Sequence, residues 1–175
     1  MESIMTMMEI LFGREDLLKH HRILTMISTI SPLSIDSMGL ESMMVAAGMN
    51  QPMIISPAPA AGTTGPIGLG GNLALATAEA LAAIAFTLMI RPGLPVIFGL
   101  QCYGADLRTG NISIGSPAYA IQAGYCALLA KKYGLPSRGG GSVNDAAAVT
   151  VQAGYESMMS MLTAVQNGIS LAVHS

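Results

Sequence analysis

Five short apolar runs recur along the chain: Ile23–Ile30, Pro52–Ser56, Pro95–Leu100, Pro136–Gly140 and Ile169–His174. Each of the first four leads through a loop of Gly, Pro, Ser or Asp into a segment rich in alanine and methionine. Those segments, Ser37–Met49, Asn72–Met89, Pro117–Tyr133 and Ala146–Gln166, place apolar residues at helical spacing, and a further helix is expected over Glu2–His20. Stop signals are explicit at Arg91-Pro92-Gly93 and Tyr133-Gly134-Leu135-Pro136, and Ser116-Pro117 reads as an N-cap with proline at the first helical position. Strands that alternate with helices form a parallel sheet covered by helices, and runs without polar alternation suit strands buried on both faces. An open doubly wound sheet and part of an eight-stranded barrel both satisfy that pattern. The repeat spacing is uneven, from about 30 to 45 residues, which argues against a tandem solenoid. The last run reads as a strand with no covering helix behind it. The expected fold is therefore α/β: a partial TIM (β/α)8 barrel of about five parallel strands with covering helices, residues 1–175 forming a single incomplete barrel domain.

Charge bears on that expectation. Only 10% of residues are charged, against about 25% in ordinary soluble domains. Such a shortage implies either membrane burial or surface that belongs against further protein. Leu73–Ile90 is almost wholly apolar, but Glu79 lies near its middle with Thr77 and Thr87 nearby, alanine dominates it, and no aromatic belt flanks it. A buried barrel helix is the preferred reading over a membrane span. The net charge of −2 gives no electrostatic footprint for nucleic acid. Two cysteines, Cys102 and Cys126, make neither a disulfide framework nor a zinc spacing. Met1-Glu2-Ser3-Ile4 has no basic leader, so a cytoplasmic location is expected.

In a parallel barrel the chemistry sits at the C-terminal ends of the strands. Those ends hold Ser31-Pro32-Leu33-Ser34, Pro57-Ala58-Pro59-Ala60, Gln101-Cys102-Tyr103-Gly104-Ala105-Asp106, Gly141-Ser142-Val143-Asn144-Asp145 and His174. No phosphate-binding loop, Ser/His/Asp order or HExxH motif is among them. Gly68-Leu69-Gly70-Gly71 lacks the following Lys-Ser/Thr, so it is read as tight turns and close packing.

At these same loops the sequence resembles the trimethylamine methyltransferase family, corrinoid-dependent amine methyltransferases built on a TIM barrel. The resemblance is borne by Ile30-Ser31-Pro32-Leu33, Gly62-Thr63-Thr64-Gly65-Pro66, Ala78-Glu79-Ala80-Leu81-Ala82, Arg91–Gly99, Asp106–Gly110, Gly115-Ser116-Pro117, Tyr133–Arg138 and Gln152–Glu156, which run in the family's order from about Gly13 onward. It implies a section of a longer barrel enzyme that moves a methyl group from a methylated amine to the cobalt of a corrinoid (cobalamin). That cofactor is carried by a separate corrinoid protein, not by this chain, and the full-length protein is expected to be a homo-oligomer. Founding members of the family, known from methanogenesis, hold pyrrolysine between a glycine and an Asp-Ala pair; Ser142 stands there in this chain. That substitution implies the non-pyrrolysine branch, with quaternary amines such as glycine betaine as expected donors. Ala118, Ala147 and Val149 also depart from the residues common in the family, Glu, Lys and Pro respectively.

A quaternary donor arrives with its leaving group already charged, so no general acid is obligatory. The pocket needs orientation, exclusion of water, and aromatic faces or carboxylates for a cation. His174, a polar residue ending an apolar strand, is the foremost substrate-binding candidate. Gln101 is placed to donate to a substrate carboxylate, and Tyr103 to offer its ring to a methylammonium or simply to pack. Asp106 has the charge to attract a cation, although Asp-Leu-Arg-Thr-Gly also reads as a turn held by Asp106 and Arg108. Ser142 is a pocket filler or a ligand. His20-His21 are read as capping the first helix, and Met158, Met159 and Met161 as core. Two classes remain: the corrinoid methyltransferase, and a barrel section without activity of its own.

Overall fold

The computed structural model describes residues 1–174, a mixed α/β arrangement of parallel strands and six helices. Five strands fall inside the five expected runs: β1 (Thr25–Ile27), β2 (Met53–Ile55), β4 (Val96–Phe98), β7 (Arg138–Gly140) and β8 (Leu171–Val173). Three further strands, β3 (Ala60–Ala61), β5 (Tyr103–Ala105) and β6 (Ile112–Ser113), were not expected. The helices are α1 (Glu2–Phe12), α2 (Arg14–Lys19), α3 (Ser37–Gly48), α4 (Leu69–Ile90), α5 (Pro117–Lys132) and α6 (Val151–Gln166).

β1, β2 and β4 form one parallel sheet in chain order, and β7 and β8 form a parallel pair. A parallel bridge between Phe98 and Ser137 joins the two, with the Phe98 N–H donating to the Pro136 carbonyl at 2.9 Å. The five strands thus succeed one another in sequence order without a reversal. Among the described residues the sheet does not close: β1 and β8 each have one strand neighbour.

β3 and β5 continue β2 and β4. The register that pairs Met53 with Val96 is the one that pairs Ala60 with Tyr103. Between the two, Gly99, Gln101 and Tyr103 donate their N–H groups to the carbonyls of Ile55, Pro57 and Pro59 at 2.8–3.1 Å. Each proline keeps its acceptor in the ladder but has no N–H to return, which interrupts regular pairing without shifting it. The expected strand Pro52–Ser56 therefore extends further than its composition suggested. A correction accompanies it: β5 pairs antiparallel with β6, in a hairpin outside the five expected strands.

The helices follow local rules. Asp36, Ser116 and Thr150 each cap a helix by accepting an N–H from the residue three further on. The Thr150 cap moves the start of α6 from the expected Ala146 to Val151. Asn144 Oδ1 takes the Ala146 N–H at 3.1 Å and holds the intervening loop out of the helix. The single helix expected over Glu2–His20 is two, because Gly13 adopts φ 82°.

Side chains alternate across the sheet. Ile27, Met53, Ile55, Val96, Phe98, Leu100 and Cys102 join one buried cluster with residues of α1 to α5. The intervening residues Met26, Ile54, Ile97, Gly99, Gln101 and Tyr103 lie on the opposite, inner face. α4 is long and apolar enough to cross a membrane by length and composition. Its buried residues form one stripe, Asn72, Ala76, Glu79, Ala80, Ala83, Ile84 and Thr87, and this stripe includes its polar members. Glu79 accepts hydrogen bonds from the Thr29 hydroxyl, from the Ser31 hydroxyl at 2.9 Å and from the Leu33 N–H at 2.9 Å, which fixes the loop after β1.

Apolar side chains such as Met26, Ile10, Leu11, Tyr155, Met158 and Val165 remain exposed, and both edges of the sheet are open. Residues 1–175 expressed alone are expected to be poorly soluble and to self-associate. A monodisperse, cooperatively melting monomer in analytical ultracentrifugation and calorimetry would contradict this.

Candidate functional site

The inner face gathers its polar residues around Arg138. Ser137 stands opposite Phe98, whose side chain joins the buried cluster, so the next residue, Arg138, turns inward. A Cβ on Gly99 would meet Ile54 Cγ2 at 2.8 Å and Arg138 Cβ at 3.2 Å, which is why the strand between them lacks a side chain there. Arg138 is 0% exposed. Its Nη1 donates to Ser56 Oγ at 3.4 Å and its Nη2 to His174 Nε2 at 2.5 Å, while Nε has no partner. No carboxylate pairs with it among the described residues. Burial pushes its guanidinium below the ordinary arginine range, although it remains the local positive charge.

His174 follows β8. Strand alternation alone would turn it away from Arg138, but its φ of 64° breaks the alternation and brings the ring to the guanidinium. Arginine has only donors, so Nε2 must be the acceptor and the ring is neutral with its proton on Nδ1. Burial, then the charge of Arg138, lowers the pKa of His174 from its ordinary value.

Two tyrosines complete the group. Tyr103 on β5 stacks on Tyr119 of α5 with ring centroids 5.9 Å apart and planes 11° apart. The Tyr119 hydroxyl occupies the space a Cβ on Gly140 would need, so β7 must carry glycine at that point. Burial, then the neighbouring Tyr119, pushes the Tyr103 phenol up to about 12, and burial raises Tyr119, so both rings stay neutral. Tyr103 is half-buried, with Tyr119 beneath it.

The expected site residues divide accordingly. Gln101 and Tyr103 share the inner face with Arg138, and His174 touches it. Ser142 lies in the loop after β7, whose Gly141 N–H donates to the Val173 carbonyl at 2.7 Å. Asp106 is elsewhere. Its carboxylate takes the Arg108 N–H at 2.9 Å and its carbonyl takes the Gly110 N–H at 2.7 Å, closing the β5–β6 turn. Arg138 and Tyr119 were not singled out from sequence. The available signal for Arg138 was a lone cation inside an apolar run, and for Tyr119 an aromatic ring in the first turn after an N-cap. Cys102 and Cys126 are buried and pushed up to about 12 by that burial, hence unreactive thiols.

Four matches to known proteins bear on this geometry. The sequence profile of the Trimethylamine methyltransferase (MTTB) family matches residues 1–175. A glycine betaine methyltransferase of Desulfitobacterium hafniense is 42% identical over 167 residues, covering 95% of this chain and 35% of that protein. A proline betaine:corrinoid methyltransferase of Eubacterium limosum is 35% identical over 142 residues, covering 81% of this chain and 29% of that protein. A trimethylamine methyltransferase of Methanosarcina barkeri is 31% identical over 138 residues, covering 79% and 28% respectively. The chain spans roughly a third of the length of these curated relatives.

The lowered pKa of His174 generates a signed prediction for a full-length protein containing these residues. Its imidazole should titrate below 6.5 in spectra of selectively labelled histidine. Between its ordinary and its lowered pKa the unfolded chain binds the extra proton, so this group's contribution to stability falls as pH drops through that window. Arg138→Met removes one cause of the shift and should move the midpoint up toward 6.5; an unchanged midpoint would refute the contact. Independently, Gly140→Ala should destabilise the protein by about 1–3 kcal/mol through collision with Tyr119, read as a lowered Tm.

Proposed function

The chain belongs to the trimethylamine methyltransferase family, and on that premise we propose that the protein containing it moves a methyl group from a quaternary amine to the cobalt of a corrinoid carried by a partner protein. The fold supports a place in a TIM barrel. Its strands follow chain order without a switch point, and α1 to α5 supply the same buried cluster on one face of the sheet. We place that barrel in the cytoplasm, as a homo-oligomer when complete.

The observation that carries the reading is the Tyr103–Tyr119 stack on the inner face, beside Gln101 and near Arg138. A neutral ring presents a negative face that attracts a methylammonium, by about 0.5–2 kcal/mol according to desolvation. The ring would hold the ammonium without forming a bond to it. It would leave the methyl carbon open on the side opposite the C–N bond, where the cobalt arrives. Reduced cobalt supplies the electron pair for the new carbon–cobalt bond, the C–N pair stays on nitrogen, and a neutral tertiary amine leaves. No proton moves in that step, so the site needs no acid.

Trimethylamine is a poorer fit. Its nitrogen carries no permanent charge, and its activation is the task attributed to pyrrolysine in the founding members. Ser142 has no electrophile to offer in that role. A full-length protein containing these residues should therefore form methyl-cobalamin from quaternary amines and not from trimethylamine, followed spectroscopically with a reduced corrinoid protein. Turnover of trimethylamine with none of any quaternary donor would overturn the substrate reading. No methylation from any donor would favour a barrel section without activity of its own.

A further inference from the structure

The geometry points to Asn72 and Gln122 as a positioning pair for the Tyr103–Tyr119 stack, two buried amides that set where the rings stand for the donor. The inference rests on the inner face being the donor site. It names two residues outside that face on which donor affinity depends.

Asn72 lies near the start of α4 and Gln122 within α5, and both are buried. Asn72 Nδ2 donates to the Pro59 carbonyl at 3.2 Å and to Gln122 Oε1 at 3.1 Å. Gln122 Nε2 donates in turn to the Ala118 carbonyl at 3.3 Å. A carbonyl only accepts, so Pro59 decides which end of the Asn72 amide faces it, and Asn72 then decides the orientation of Gln122. Each end of this chain of bonds lies one step from a ring of the stack. The Pro59 carbonyl also takes the Tyr103 N–H at 3.1 Å, and Ala118 immediately precedes Tyr119. The ladder has least to offer here, because Pro59 has no N–H and its carbonyl is its one backbone group for hydrogen bonding. On the other edge of the amide, a Cβ on Gly65 would collide with Asn72 Oδ1, so the loop after β3 closes directly against it.

Satisfying buried acceptors does not account for the pair. The Pro59 carbonyl already has the Tyr103 N–H, and Ala118 lies inside α5, where the helical ladder serves its carbonyl. Replacing both members of a buried hydrogen-bonded pair by apolar groups of the same shape can be nearly neutral for stability. An apolar pair would lack direction, since a hydrogen bond has an angular preference that dispersion does not. Through that preference α4 fixes the strand end bearing Tyr103 against the helix turn bearing Tyr119. The attraction of a ring for a methylammonium depends on the distance to the ring centroid, so a displaced ring binds the donor less well.

The test uses the full-length protein and glycine betaine, with binding followed by calorimetry without corrinoid protein and folding by the thermal melt. The paired variant Asn72→Leu/Gln122→Met should keep a Tm close to wild type and lose about tenfold in affinity, within the roughly 30-fold reach of one cation–π contact. On a Tyr103→Leu background the same two substitutions should cost no further affinity, because the pair acts through the ring. Should the paired variant not fold, Gln122→Met alone runs the same comparison on both backgrounds. Unchanged affinity, or an equal loss with and without the Tyr103 ring, would overturn the positioning role and leave the donor site standing. Tyr103→Leu binding the betaine as tightly as wild type would overturn the donor site, and the positioning role with it.

Discussion

The constraint on which the site depends is a parallel ladder that keeps its register where its donors run out. From Met53–Val96 to Ala60–Tyr103 the pairing never slips, although Pro57 and Pro59 contribute no N–H. A slip of one residue would send Gln101 and Tyr103 into the helix-packed side and bring Leu100 and Cys102 inward. Both of those apolar side chains are nearly fully buried in the cluster, so the hydrophobic effect penalises the wrong register directly. The prolines thus restrict the strand without misaligning it, and the polar residues beyond them emerge on the inner face.

That face holds an imbalance the rest of the described residues lack. The buried carboxylate of Glu79 is satisfied by a loop and serves to position it. The buried guanidinium of Arg138 is held by groups that balance none of its charge. Ser56 and His174 meet its geometry but not its electrostatics. Tyr119 and Gly140 brace the adjoining ring pair, so the aromatic surface beside that charge is rigid. A rigid aromatic face suits the methylammonium of the proposed donor.

Much of the fold was legible because its signals are local. All five main strands lie within the apolar runs, and the Ser116-Pro117 start and Tyr133-Gly134 stop of α5 stand where capping chemistry puts them. What was not legible depends on pairing. The hairpin of β5 and β6 arises from a turn closed by Asp106, a residue that also had the charge for a ligand. The continuation of β2 past its prolines becomes visible only when Gly99, Gln101 and Tyr103 are seen donating to it. His174 and Tyr103 could be suspected from strand ends. Arg138 offered only the weaker signal of a lone cation in its run, because its burial and its partners Ser56 and His174 depend on pairing that sequence spacing does not contain.

The central claim is that the face carrying Gln101 and the Tyr103–Tyr119 stack receives a quaternary amine. The most direct measurement is a crystal structure of the full-length protein with glycine betaine bound. The expected result is the methylammonium against the face of the Tyr103 ring. A betaine bound away from Tyr103 and Gln101 would contradict that claim.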